Sequence, residues 1–377
     1  MNWRALLKAG AGLALLVLAA CSTTPDAPEG PSLSPTQARL LIEGLLPDRI
    51  ADRRGWATDL YAGFAAMDLP ATASNFCAAI AVTEQESGFQ ADPQVPGLAA
   101  IAWKEIDSRA AAHGLPKLVV HTALKVGSPN GQSYAARIDA AKTERELSEI
   151  FEDLIAALPL GRTFLSDKNP VRTGGPMQVS IAYAEQQAER RPYPYPVERS
   201  LRREVFTRRG GLYFGIAHLL DYPADYEQTI HRFADFNAGH YASRNAAFQS
   251  ALSLLSGVPL ALDGDLIRAG SSASDPPGQT ELAARVLAKR LDLSQGAIRR
   301  DLERGDGADF AETRLYERVY ERADQAEGRP LPRALLPQIR LDSPKISRKL
   351  TTDWFARRVD ERYQRCLQRA PAPVKAP

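Results

Sequence analysis

The stretch Phe76-Cys77-Ala78-Ala79-Ile80-Ala81-Val82 is apolar on every side, and it constrains the fold more than any other part of the chain. Ser74 and Asn75 before it are helix-capping types, so the run reads as a helix. A helix without a polar face has to be surrounded by other elements rather than laid on a surface. Two carboxylates, Glu84 and Glu86, follow at its C-terminal end, and Gly88 supplies a stop. The negative end of the helix dipole and the loss of water both disfavour an ionised carboxylate there. A carboxyl kept protonated near neutral pH is what general-acid cleavage of a glycosidic bond needs. The plain alternative is two glutamates solvated where the helix surfaces. They stand about 200° apart around a helix, so they do not share one site.

Most of the remaining chain has helical period, and strand signals are sparse. Gln37 to Leu46 and Trp56 to Met67 read as helices closed by Pro47 and Pro70, and Ala136 to Leu158 as one or two more. Gly211 to Leu220, Tyr226 to Ala238 and Ser243 to Leu255 continue the series, so the fold class is mainly α. Gly, Ser, Asp and Pro cluster over 263–280 as in a linker. Beyond it, 281–369 carries charged, arginine-rich helices, and 370–377 is a Pro-rich tail expected to be disordered. Those helices read either as solvated outer faces or as a basic surface for a polyanion. With 47 Lys plus Arg against 45 Asp plus Glu, nothing global points to nucleic acid. The five histidines lack metal-ligand spacing, and no Gly-x-Ser-x-Gly elbow, phosphate loop or dinucleotide fingerprint occurs, so neither a metal nor a cofactor is expected.

The N-terminus carries its own message. Arg4 and Lys8 precede a short apolar core from Ala9 to Ala20, too short to span a bilayer, so 1–20 reads as a signal peptide. Leu18-Ala19-Ala20-Cys21 resembles the lipobox of bacterial lipoproteins, which makes Cys21 the lipidated mature N-terminus, acylated with palmitate. Ser22 after it, by the same resemblance, favours the outer membrane, with the protein facing the periplasm and the lipid as its membrane contact. Residues 21–36 read as a flexible tether. Cys77 and Cys366 then either pair in an oxidising compartment, or stand as a buried small side chain and a free thiol.

Three motifs in order carry a resemblance. Glu86-Ser87-Gly88-Phe89 ends the apolar helix, Gly174-Gly175-Pro176-Met177-Gln178-Val179 forms a glycine-rich turn, and Phe236-Asn237-Ala238-Gly239 ends another helix. Together they resemble the lysozyme-like lytic transglycosylases, and Gly211 to Leu220 resembles the helix leading to the last element. The whole chain also looks like a family of proteobacterial lipoproteins known only as a domain of unknown function.

The superfamily resemblance implies a lysozyme-like core over 37–262, with a large helical insertion at about 92–165 and a C-terminal helical extension. It implies cleavage of the bond between N-acetylmuramic acid and N-acetylglucosamine, with Glu86 as sole acid and base, giving 1,6-anhydro products from peptidoglycan strands. Ser87, Gly175, Met177, Gln178, Tyr183, Phe236 and Asn237 would then line the substrate. Gly174 and Gly175 would let backbone donors approach the sugar, while Met177 would serve packing. Phe236 stands where the family has Tyr, and Tyr241, Tyr183 or Tyr213 would have to supply that hydroxyl. Two other readings follow from the departures: a non-catalytic glycan-binding or scaffold lipoprotein, and an inverting hydrolase using Asp235 or Asp167 as base.

Overall fold

The structure, a computed structural model, describes residues 33–158, 169–268, 270–272, 274–341 and 350–371. The signal peptide, Cys21, most of the tether, Asp167 and the end of the tail lie outside the described residues. Among those described the protein is mainly α, with sixteen α-helices and two short hairpins. No helix among them is long and apolar enough to cross a membrane.

Three helices open the chain: α1 (Pro35–Leu45), α2 (Arg53–Ala66) and α3 (Ala73–Glu86). Four more, α4 (Leu98–Ala112), α5 (Lys117–Ala123), α6 (Tyr134–Ala140) and α7 (Glu144–Ala157), occupy the long interval before the glycine-rich turn. A hairpin of β1 (Thr173–Gly174) and β2 (Val179–Ser180) pairs Thr173 with Ser180 and Gly174 with Val179. After it come α8 (Ile181–Arg190), α9 (Leu201–Val205), α10 (Arg208–Leu220) and α11 (Ile230–Ala238). Then follow α12 (Ala242–Ser256), α13 (Gln279–Val286), α14 (Gln295–Leu302), a 3-10 turn at Ala308–Glu312 and α15 (Arg314–Glu327). A second hairpin, β3 (Arg340–Leu341) with β4 (Leu350–Thr351), leads into α16 (Thr352–Leu367).

Helix α3 is the centre of the first core. Thr72 caps it, its hydroxyl accepting from the Asn75 amide, and every residue from Phe76 to Thr83 is at most 1% exposed. Its alanines leave room for close neighbours, and α1, α10 and α16 pack against it. The last helix therefore folds back across the chain: Phe355, Val359, Tyr363 and Cys366 enter the same core as Phe76 and Ile80. A disulfide joins Cys77 to Cys366, with Cα atoms 5.5 Å apart. Beside it the Ser74 and Tyr363 hydroxyls hydrogen-bond at 2.8 Å.

A second core gathers Phe248 and Leu252 of α12 with Ile298, Leu302, Phe310 and Val319. Helix α12, on the near side of 263–280, thus already belongs to it. Fully buried Glu281 is neutralised there by Arg299 at 3.1 Å and Arg285 at 2.5 Å. The interval of α4 to α7 has its own fixings. Thr143 and Glu146 form a capping box, Arg145 pairs with Asp92 at 2.8 Å, and the Trp103 indole donates to Asp139 at 2.7 Å.

Candidate functional site

Glu86 is the last residue of α3 and is half-buried, at the point where the apolar helix leaves the core. The turn after it is set by two left-handed residues, Gly88 at φ +59° and Phe89 at φ +67°. That turn swings the Phe89 ring inward, edge-on to Trp56 of α2 with centroids 5.2 Å apart. Arg208, at the start of α10, lies over the other part of this cluster, 5.4 Å from the Trp56 ring, and bridges Asp52 (2.7 Å) and Asp59 (2.5 Å). The Ser87 hydroxyl donates back to the Thr83 carbonyl at 3.1 Å, which stiffens the end of the helix. Glu84 takes a separate direction and pairs with Arg49 at 2.6 Å.

The glycine-rich turn is seated on α10. Gly175 (φ +74°) and Gln178 (φ +49°) both adopt the left-handed conformation that reverses the chain. The Gln178 side chain holds its own turn, accepting from the Thr173 hydroxyl at 3.4 Å and donating to the Gly175 carbonyl at 3.3 Å. Met177 is fully buried. A Cβ on Gly215 would sit 2.4 Å from its sulfur, and one on Gly211 would sit 2.3 Å from Pro176. The space left by Gly174 faces the Phe206 ring and that left by Gly175 faces the Val205 carbonyl, so both glycines are needed for packing inside the protein.

At the far end of α10, His218 collects the third motif. Its Nε2–H donates to the Phe236 carbonyl at 3.2 Å, and its ring lies 4.6 Å from Tyr183 and 5.1 Å from Phe236. His240 stacks on it at 4.6 Å and donates to its carbonyl at 2.7 Å. Burial, with His240 as a second cause, pushes His218 down to about 3, so the imidazole is neutral at ordinary pH. Burial likewise lowers His240 and raises the Tyr183 phenol. Asn237 is exposed, and its side-chain oxygen accepts from the Thr352 hydroxyl of α16 at 2.9 Å. Helix α10 therefore touches all three motif-bearing elements: α3, the hairpin and α11.

A family model described as "Protein of unknown function (DUF1615)" matches residues 49–369. The chain belongs to that family. The DUF1615 chain is also 54% identical to the uncharacterized protein YaiW of Escherichia coli (strain K12) over 356 residues, covering 94% of this chain and 96% of that protein. No solved structure matches it.

Several side chains of the DUF1615 chain stand apart from the roles the sequence suggested. Asp235 is fully buried and receives four donors: the Tyr226 and Tyr222 hydroxyls (2.7 and 3.1 Å) and the Ser243 and Tyr241 amides (2.7 and 3.0 Å). Burial pushes its carboxyl up while those donors pull it back. An acid so enclosed is a structural hub and has no free oxygen to position water, which removes it as the base of an inverting hydrolase. The Tyr241 hydroxyl is committed to the Pro223 carbonyl at 2.9 Å and Tyr213 is fully buried, which leaves half-buried Tyr183 as the phenol nearest Phe236. Sequence reasoning missed His218, His240 and Arg49. The only trace of the first was its place one helical turn past Gly215, facing the same way as Gly211.

Proposed function

We propose that the protein is an outer-membrane lipoprotein, anchored through Cys21 and facing the periplasm, that acts on peptidoglycan through a lysozyme-like core. In this reading Glu86 protonates the bridging oxygen between N-acetylmuramic acid and N-acetylglucosamine. It then takes the proton from the muramyl 6-hydroxyl as that oxygen closes on the anomeric carbon, so one carboxyl suffices and the product ends in a 1,6-anhydro ring. The observation that carries the reading is the seating of the three motif elements on one helix. The glycine-rich turn lies on Gly211 and Gly215, the Phe236-Asn237 helix on His218, and the helix ending in Glu86 packs on the same α10.

A second reading, a glycan-binding or scaffold lipoprotein without turnover, is favoured by specific contacts. Phe236 brings no hydroxyl, Asn237 is held by Thr352, and a cavity of about 1030 Å³ lies away from Glu86. Incubation with purified sacculi, followed by mass analysis of released fragments, separates the readings. Anhydro-muramyl ends support lytic cleavage, reducing ends indicate hydrolysis, and no release indicates a binding module.

A further inference from the structure

A cavity of about 1030 Å³ lies at the seam between the two cores. Segment 223–231 with Tyr241 and Arg244 forms one wall, and residues 308–316 and 329–334 form the other. Its size is at the upper end of the usual range for ligand clefts. Both walls are fixed without a ligand. The Arg244 guanidinium donates to the Gly305 and Gly307 carbonyls (2.6 and 2.8 Å) and lies 4.3 Å from the Tyr241 ring. Arg333 is tied to Asp324 at 2.7 Å and lies 3.9 Å from the Tyr320 ring. The Leu335 amide donates to the Ser243 carbonyl at 3.0 Å, which closes the seam. A preformed site loses little on ordering when it binds.

The lining has a distinct chemistry. Tyr226 has turned its hydroxyl to Asp235, so it offers a ring face rather than a donor, whereas Tyr241 is buried with Arg244 over its ring. Tyr316 and Pro330 extend that apolar surface. The side chains of Asp225, Glu227, Gln228 and Glu312, by contrast, make no hydrogen bond or ion pair among the described residues. The buried Nδ1 of His231 has no partner either. An apolar ligand would leave those acceptors unmatched, which is costly wherever water is excluded. An anion would meet three carboxylates, and with Arg244 and Arg333 already engaged, Arg329 is the one lining arginine left to offset them among the described residues. What fits is a ring with C–H faces to lie on tyrosine and hydroxyl or amide hydrogens around its edge.

We propose that this cavity is a binding site for a strand of N-acetylated amino sugars, separate from the Glu86 site. Sugar rings lie on Tyr226 and Tyr316, and their hydroxyls donate to Glu227 and Glu312. The identity of the sugar rests on the wall-glycan reading above. The placement of the site rests on the cavity alone.

The test uses the whole mature chain carrying Glu86→Gln, titrated with the hexamer of N-acetylglucosamine by calorimetry. Saturable binding is expected, and adding Glu227→Ala with Glu312→Ala should weaken it at least about tenfold, the scale of losing hydrogen bonds to charged groups. Both substitutions are at exposed, unpaired positions, so the thermal unfolding midpoint should not move. A photoactivatable hexamer should label peptides from 223–231 and 308–334. Absence of saturable binding, undiminished binding by the double variant, or labelling confined to peptides around Glu86 and Met177 would each overturn the proposal. Sacculus cleavage by Glu86 is read separately, so either proposal can fail without the other.

Discussion

Cys77, nine residues before Glu86 on the buried helix, is bonded to Cys366 across 289 residues of sequence, with the two Cα atoms 5.5 Å apart. The bond fixes α16 against the first turns of α3, at the level of Ser74 and Tyr363, so the last helix becomes part of the packing around the helix that ends in Glu86. Cross-linking residues so far apart in sequence removes much freedom from the unfolded chain.

The oxidised protein should therefore run faster on a non-reducing gel than after reduction, and contain no titratable thiol at Cys77 or Cys366. Replacing both by Ala should lower unfolding stability by about 2–5 kcal/mol, the usual scale for a native disulfide. Denaturant melts measure the loss. Two free thiols in protein isolated from an oxidising compartment would contradict the pairing.

A second prediction concerns the seating of the glycine-rich turn. Gly215→Ala adds a methyl 2.4 Å from the Met177 sulfur and 2.6 Å from its Cβ, both within a fully packed interior. Overpacking of this kind costs about 1–3 kcal/mol, readable as a lower urea midpoint. Met177→Ala in the same chain should recover part of that loss, because the clashes with the sulfur and Cγ go while the one with Cβ stays. Additive losses in the double variant would mean that the two residues do not press on each other.

The third prediction is a pH dependence. In the unfolded chain His218 takes up a proton below its ordinary value of 6.5, while in the folded chain it stays neutral down to about 3. Stability from this group is thus fully present above about pH 6.5 and is lost as pH falls between those two values. Between pH 6.5 and 5 the loss is about 2 kcal/mol. His231 and His240, also lowered by burial, act in the same direction, whereas Asp235, raised by burial, acts in the opposite one. The clean readout is a difference. His218→Phe gives up the bond to the Phe236 carbonyl, yet its stability should fall less steeply with acid than that of the wild type. Equal slopes would show that His218 is not held neutral.

Much of this architecture could be read from local pattern. The run from Phe76 to Val82 has no polar face, so burial of α3 followed directly. Gly and Pro marked the turn before Met177, and the helical periods of α1, α2, α10 and α12 were plain. What escaped depends on partners distant in the chain. The cysteine count offered the pairing that brings Cys366 back to Cys77, but nothing local in 349–368 says that Phe355, Val359 and Tyr363 enter the first core with it. Tyr226 fits the period of a helix running to Ala238, yet the helix begins at Ile230, because the Tyr226 hydroxyl is drawn to Asp235. The glycines of the turn were read for the approach of a sugar, and the packing they also serve was hidden, because Phe206 and the Val205 carbonyl come from residues some thirty positions on. Glu86 could be singled out from its place at the end of an apolar helix. The Arg49 that occupies Glu84 could not, because it comes from the segment between α1 and α2.

The central claim is that Glu86 alone delivers and removes the proton, and it is tested most directly by digesting sacculi with three proteins side by side. The wild type should release anhydro-muramyl fragments. Glu86→Gln keeps shape and hydrogen bonding but cannot give a proton, so its rate should fall at least about a hundredfold, with sacculus binding retained. Glu84→Gln loses only the pairing with Arg49 and should remain within a small factor of wild type. Fragment release by Glu86→Gln at the wild-type rate, or loss of release only in Glu84→Gln, would contradict the account.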